Sequence, residues 1–210
     1  MAAALFVFEG ADGVGKSRRC GDTSKYIKQL GLPCDVFSFP GKKAGSLGHV
    51  VHTLHNSPRE LGLPSVLPAA LQTLHIAAQL DSIERDILPA LAEGHIVLLD
   101  RFWWSTWVYG SKAGVDEGLL TTLVALEQRV WKKLLPTALF FIDRRKPIRR
   151  EHSTRTFDQL RRLYQELAAR EKSHYPVFTI CNDDFNVAQA EIEQIIKDAL
   201  CASARRRTVR

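Results

Sequence analysis

The sequence predicts a doubly wound α/β protein built on a five-stranded parallel sheet flanked by helices. Three observations carry that reading: five short apolar runs, helical periodicity between them, and a glycine-rich turn joining the first run to the first helix. The apolar runs cover residues 5–8, 34–39, 96–99, 138–142 and 177–181. They are apolar almost throughout rather than alternating, as in parallel strands covered on both faces.

The helices follow in order. The first is predicted over residues 16–30, stopped by Gly31 with Pro33 beyond. A loop rich in Gly and Lys, residues 40–48, follows the second strand, and the three prolines in residues 56–68 mark a connection between helices. Residues 69–91 form the longest helical segment, with Ile76, Leu80, Ile83 and Ile87 at core spacing. Beside that stripe, Gln72, His75, Gln79 and Ser82 make a narrow polar row. Asp81, Glu84 and Arg85 already supply a charged face, so the row is read as facing a substrate, with a solvated face as the alternative. Further amphipathic helices are predicted over residues 119–134, 155–172 and 187–200.

With 210 residues, the chain can bury a core of its own in one domain. That domain is predicted over residues 1–202, followed by a basic, disordered tail over 203–210. Four scattered cysteines without a C-x-x-C pair point to reduced thiols rather than a disulfide or zinc framework. The N-terminal apolar stretch is interrupted by Glu9, so it is read as a strand and not a signal peptide. No apolar segment is long enough to span a bilayer, and a soluble, cytoplasmic protein without a membrane partner is expected. The net charge of +6 is concentrated in two clusters, Arg144 to Arg150 and Arg205 to Arg210. A phosphate-handling loop explains the first cluster at least as well as nucleic acid does, and no basic–aromatic alternation suggests single-strand binding.

Chemistry enters at Gly10-Ala11-Asp12-Gly13-Val14-Gly15-Lys16-Ser17, a complete G-x-x-x-x-G-K-S phosphate loop between strand and helix. Its glycines let backbone N–H groups wrap a polyphosphate, Lys16 reaches the β- and γ-phosphates, and the Ser17 hydroxyl joins a Mg²⁺ shell. The following helix turns its positive end toward the same anion. A nucleoside triphosphate is therefore the expected ligand, on a sheet of the P-loop NTPase type. Asp100-Arg101-Phe102 ends the third apolar run, at the sheet edge where ligands of such proteins collect. Asp100 is placed to hold Mg²⁺, and Arg101 to grip a phosphate bidentately.

Together these residues resemble the thymidylate kinase family. Residues 8–17 are similar to its phosphate loop, Ser38-Phe39-Pro40 to its Phe-Pro after the second strand, and residues 77–94 to a gap-free bacterial segment. Asp100 to Tyr109 matches the family pattern D-R-[YFH]-x-x-S-x-x-x-Y. The resemblance implies ATP as phosphoryl donor, a nucleoside monophosphate as acceptor, Mg²⁺ as cofactor, and a homodimer.

The resemblance also implies roles, residue by residue. Gly10, Ala11, Asp12, Gly13, Val14, Gly15, Lys16, Ser17 and Arg18 would bind ATP, with Ser17 and Asp100 on the metal. Asp12 would meet the acceptor 3′-hydroxyl and Arg101 its phosphate. Glu9, Phe39, Lys42, Gln72, His75, Gln79, Ser105, Thr106 and Tyr109 would complete the acceptor site, and residues 181–184 would surround the donor adenine. Asp12, Lys16 and Arg101 are the expected catalytic residues, joined by an arginine from a lid over residues 144–155. Gly13 occupies the phosphate-loop position where some relatives carry the catalytic arginine, so Arg149, Arg150 and Arg155 stand as equal candidates. Such a cation stabilises the charge spreading over the transferred phosphoryl group and acts once the lid closes.

Two departures bear on the acceptor. Gln79 stands where the family uses an arginine to read the thymine carbonyl, and His75 where a phenylalanine stacks on the base. A glutamine matches thymine, uracil, cytosine or adenine edges. Trp103, Trp104 and Trp107 either narrow the pocket or pack beneath the lid. The first expectation is dTMP phosphorylation. A kinase of free deoxynucleosides, with Glu9 as base and Gln72 reading the base, and a P-loop switch with little turnover remain as alternatives.

Overall fold

The computed structural model describes residues 3–131, 134–148 and 153–208, with residues 203–208 described by backbone alone. Five strands, β1 (Ala4–Glu9), β2 (Cys34–Ser38), β3 (Ile96–Asp100), β4 (Ala138–Asp143) and β5 (Val177–Cys181), form one sheet. Their order is β2-β3-β1-β4-β5 and every pair is parallel. All of β1 is buried, as its unbroken apolar run requires, whereas β5 at the edge exposes Phe178, Thr179 and Cys181. Phe8 and Ser38 both register with Asp100, so the carboxyl ends of β1, β2 and β3 finish level on one rim.

Among the described residues eight α-helices surround the sheet, α1 (Lys16–Gln29), α2 (Leu47–Asn56), α3 (Pro68–Ser82), α4 (Leu88–Ala92), α5 (Trp103–Lys112), α6 (Glu117–Val130), α7 (Thr154–Glu171) and α8 (Phe185–Thr208), with a short 3-10 helix (Pro58–Leu61) between α2 and α3. From β1 to β2 the chain moves one way across the sheet, and from β2 onward it moves the other way. With right-handed crossovers, α1 lies on one face and α2 to α7 on the opposite face. α8 returns to pack on α1. The reversal opens a crevice between β1 and β3, the place where α/β sheets bind ligands.

The long helix read from the sequence over 69–91 is realised as α3, a π turn (Ile83–Ile87) and α4. Pro89 has no N–H to give the ladder, and the π turn absorbs that break. Two differences are larger. α5 forms after Asp100, over residues for which the sequence predicted no helix. α8 runs past the predicted boundary at 202 to Thr208, Ala and Arg being strong helix formers, and residues 209–210 of the expected tail lie outside the described residues. The core is continuous across the sheet, with Phe140 packed between Phe6, Phe8 and Phe178. Cys20 and Cys34 are buried free thiols, and no helix among the described residues is long and apolar enough to cross a membrane.

Candidate active site

Between β1 and α1 the phosphate loop takes a path only glycine allows. Gly10 has φ 143°, and a Cβ there would lie 2.4 Å from the carbonyl oxygen of Ile142. Gly15 has φ 93°, and its Cβ would lie 2.7 Å from Asn182 Nδ2. The loop is braced from outside: Asn182 Nδ2 donates to the Val14 carbonyl at 2.6 Å, and the Ile148 N–H donates to that of Gly13 at 2.8 Å. Lys16 Nζ donates to the Ala11 carbonyl at 2.8 Å. Burial, reinforced by the Arg101 charge, lowers the Lys16 pKa to about 8, while Asp12, Asp100 and Glu9 oppose the shift.

Ser17, in the first turn of α1, points back to the end of β3, and its Oγ donates to Asp100 Oδ2 at 2.5 Å. Asp100 Oδ1 is buried and has no partner among the described residues. A hydroxyl beside a half-satisfied carboxylate is a hard oxygen donor set, which suits Mg²⁺. Among the described residues no three His, Cys, Asp or Glu side chains gather tightly enough to hold a metal alone.

Arg101 adopts φ 78°, a positive value for a residue with a side chain, and this turns its guanidinium back over the loop. It donates to Ser105 Oγ at 2.9 Å and pairs with Asp12. The Tyr109 hydroxyl donates to Asp12 Oδ2 at 2.6 Å, and its ring lies beneath the guanidinium, 5.4 Å away. Glu9 lies underneath, with no exposure: Oε1 accepts from the N–H groups of Phe102 (2.7 Å) and Ser105 (3.0 Å), and Oε2 from Ser105 Oγ (2.9 Å). Burial raises its pKa, against the pull of Arg101 and Lys16.

Two cavities meet over this floor. One, of about 740 Å³, is lined by Asp12, Gly13, Gly15, Lys16, Ser17, Arg18, Asp100, Ile148 and Phe185 among others. The second, of about 460 Å³, runs between α2, α3 and α5 and includes Gln72, His75, Gln79, Ser105, Thr106 and Tyr109. Asp12, Phe39, Lys42 and Arg101 line both.

Most residues expected from the sequence therefore converge, and the polar row on α3 faces the second cavity through Gln72, His75 and Gln79. Ser82 departs from the row and lines a separate groove beside β2. Gly10, Ala11 and Val14 shape the loop from beneath rather than lining the cavity. Glu9, expected at the acceptor site, lines neither cavity, and both its oxygens accept hydrogen bonds inside the fold. Trp103 and Trp104 are buried and Trp107 lies under Arg170 (5.2 Å), so all three pack rather than narrow the pocket. Arg155 is exposed at the start of α7 and lines neither cavity. Arg149 and Arg150 lie outside the described residues.

Several site residues carried no local signal. His52, His55 and Asn56 reach the second cavity only because α2 packs on α3. Phe185 carries the guanidinium groups of Arg18 and Arg144 on its ring at 5.0 and 5.1 Å. Arg144 also donates to the Asn182 carbonyl, and Arg145 pairs with Asp183 at 2.6 Å, so these two cations brace the loop after β5.

A protein-family model described as thymidylate kinase matches residues 8–192. The thymidylate kinase of Chlorobium luteolum is 32% identical over 142 residues, covering 66% of this chain and 61% of that one. Its counterpart in Chlorobium chlorochromatii is 34% identical over 140 residues, so the chain spans about three-fifths of these two relatives. The thymidylate kinase of Leptospira interrogans is 31% identical over 173 residues, 79% of each chain. A crystal structure of thymidylate kinase from Ehrlichia chaffeensis shares the fold, with TM-score 0.76 at 21% identity over 93% of this chain and 100% of that one. Phosphate loop, D-R strand end and family match coincide over the same residues, and the chain belongs to the thymidylate kinase family.

Proposed function

We propose that this protein transfers the γ-phosphoryl group of ATP to dTMP, giving ADP and dTDP. The observation that carries this reading is the junction of the two cavities at Asp12, Phe39, Lys42 and Arg101. Substrates seated in them meet phosphate to phosphate over the floor formed by Arg101 and Asp12, which is the geometry of in-line transfer.

In this scheme the donor triphosphate lies along the phosphate loop, and Lys16 exchanges its bond to the Ala11 carbonyl for the β- and γ-phosphates. Ser17 and Asp100 would hold Mg²⁺, which would supply positive charge to neutralise the donor phosphates. Arg101 orients the acceptor phosphate, whose oxygen attacks the γ-phosphorus as the bond to the β-bridging oxygen breaks. Asp12 keeps Arg101 aimed and meets the sugar 3′-hydroxyl. Glu9 fixes the turn that carries Arg101 through the N–H groups of Phe102 and Ser105. A lid arginine, Arg149, Arg150 or Arg155, supplies the remaining cation on closure.

Free Cys20 and Cys34 thiols, both buried, suit a reducing cytoplasm. Association as a homodimer is proposed from the family resemblance, and Leu126, exposed on α6, offers apolar surface for it. Sedimentation at twice the chain mass checks that point.

The deciding experiment is a coupled assay with ATP and Mg²⁺, offering dTMP or free thymidine. dTDP formed from dTMP, and lost on chelating the metal, is the expected result. Product only from thymidine, or ATP binding without turnover, overturns the reading.

A further inference from the structure

The base end of the acceptor cavity holds two hydrogen bonds that can each run in either direction. In the first, Gln79 Nε2 donates to Thr106 Oγ1 at 3.3 Å. Gln79 Oε1 is buried and has no partner among the described residues. If the amide turns over, the Thr106 hydroxyl donates to Oε1 instead, and Nε2 becomes the unpaired group. The bond survives either way. What changes is whether glutamine presents an acceptor or a donor to whatever completes it, and a buried unpaired amide atom calls for such completion.

The second bond joins His55 Nδ1 and His75 Nε2 at 3.1 Å, with the rings edge-on. When His55 donates, His75 carries its proton on Nδ1 and His55 Nε2 is an acceptor. When His75 donates, those outer nitrogens exchange roles. Burial, followed by the charges of His55, Arg101 and His52, lowers the His75 pKa to about 4, and burial lowers that of His55 as well. Both rings are therefore neutral near pH 7, the form in which tautomers can exchange.

The fixed cations on the wall, Arg101 and Lys42, also line the donor cavity and so stand at the phosphate end. No side chain that can only donate has been found at the base end among the described lining residues. Thymine offers an acceptor at O4 and a donor at N3, and cytosine offers the reverse. We infer that this pocket accepts an amino-pyrimidine monophosphate as well as a keto-pyrimidine one, so that dCMP is phosphorylated alongside dTMP. The inference rests on the kinase reading and extends it to a second acceptor class.

The test compares kcat/KM for dTMP and dCMP with the full chain, ATP and Mg²⁺. The two values are expected within about a hundredfold, whereas a site with committed hydrogen-bonding groups rejects the mismatched partner by about ten-thousandfold. A preference for dTMP beyond that hundredfold margin overturns the inference and leaves the kinase reading intact; turnover of neither removes both. Gln79→Arg commits the pocket to donating, and should lower dCMP turnover relative to dTMP by about tenfold or more. Equal loss for both acceptors in that variant also counts against the inference. Should Gln79→Arg not fold, calorimetric titration of the unmodified protein with each monophosphate decides: two comparable affinities are expected, and binding of dTMP alone overturns it.

Discussion

Arg101 holds a left-handed backbone conformation that costs a residue with a side chain about 1–2 kcal/mol. Its N–H donates to the Phe8 carbonyl at 3.0 Å, and its guanidinium is gripped by Asp12 and Ser105. The strain therefore buys direction: the charge points over the phosphate loop instead of out from the strand end. Lys16 is the second residue whose surroundings decide its chemistry. Its ammonium is lost as pH rises through about 8 in the free protein, so kcat/KM for ATP should fall above that pH. Bound phosphates hold the proton on, and kcat should keep its plateau to higher pH. Lys16→Arg should lose the alkaline limb, and a flat kcat/KM profile from pH 7 to 10 in the unmodified protein would refute the assignment. Lys16→Ala should cost about a hundred- to thousandfold in kcat with the fold intact by circular dichroism. Lys16, Ser17, Asp100 and Arg101 were legible because each motif is local, its geometry set by a few consecutive residues. His55 and Phe185 were not, because they arrive from distant segments by packing.

Among the elements, α7 ties the lid segment to the acceptor site. It begins at Thr154, within the last residues of the segment expected to form the lid, and its Tyr164 hydroxyl lies 2.9 Å from Ser105 Oγ, the same oxygen that accepts from Arg101. Arg161, one turn earlier, makes two bonds to Asp143 at 2.6 and 2.7 Å at the end of β4. Beyond the helix, Trp104 Nε1 donates to the Tyr175 hydroxyl at 2.8 Å. Tyr164→Phe removes one hydrogen bond from this chain of contacts and keeps the packing. It should raise the acceptor KM about two- to tenfold with kcat little changed, the effect of losing one bond of ordinary strength. A lower kcat at unchanged KM would show that Tyr164 does not act through Arg101. α5, which carries Ser105, was hidden in the sequence by its tryptophans, Thr106, Val108 and Tyr109, all modest helix formers. Burial between α3, α6 and α7 makes the helix.

For the molecule as a whole, the alternation of apolar runs and helices disclosed the doubly wound architecture. The strand order and the pairing of α2 with α3 depend on contacts across the fold and left no local trace. One buried acid links the core to solution conditions. Glu127 has no exposure; Trp131 Nε1 donates to its Oε1 at 3.1 Å, and Oε2 has no partner among the described residues. Burial, with a contribution from Glu9, raises its pKa to about 8. Between the ordinary carboxylate value and about 8, the folded chain binds more protons than the unfolded one, so stability falls as pH rises through that window. Glu127→Gln should flatten this slope and melt at a higher temperature than the unmodified protein at pH 8. Parallel melting curves between pH 5 and 9 would refute the claim.

The two cavities open into one another across four shared side chains. A single molecule with a nucleoside at each end of an oligophosphate leash would therefore fill both chambers. Once one end is seated, the other binds at the local concentration imposed by the leash rather than that of the bulk solution. Such a compound would outcompete either half by a margin that neither half's own contacts explain.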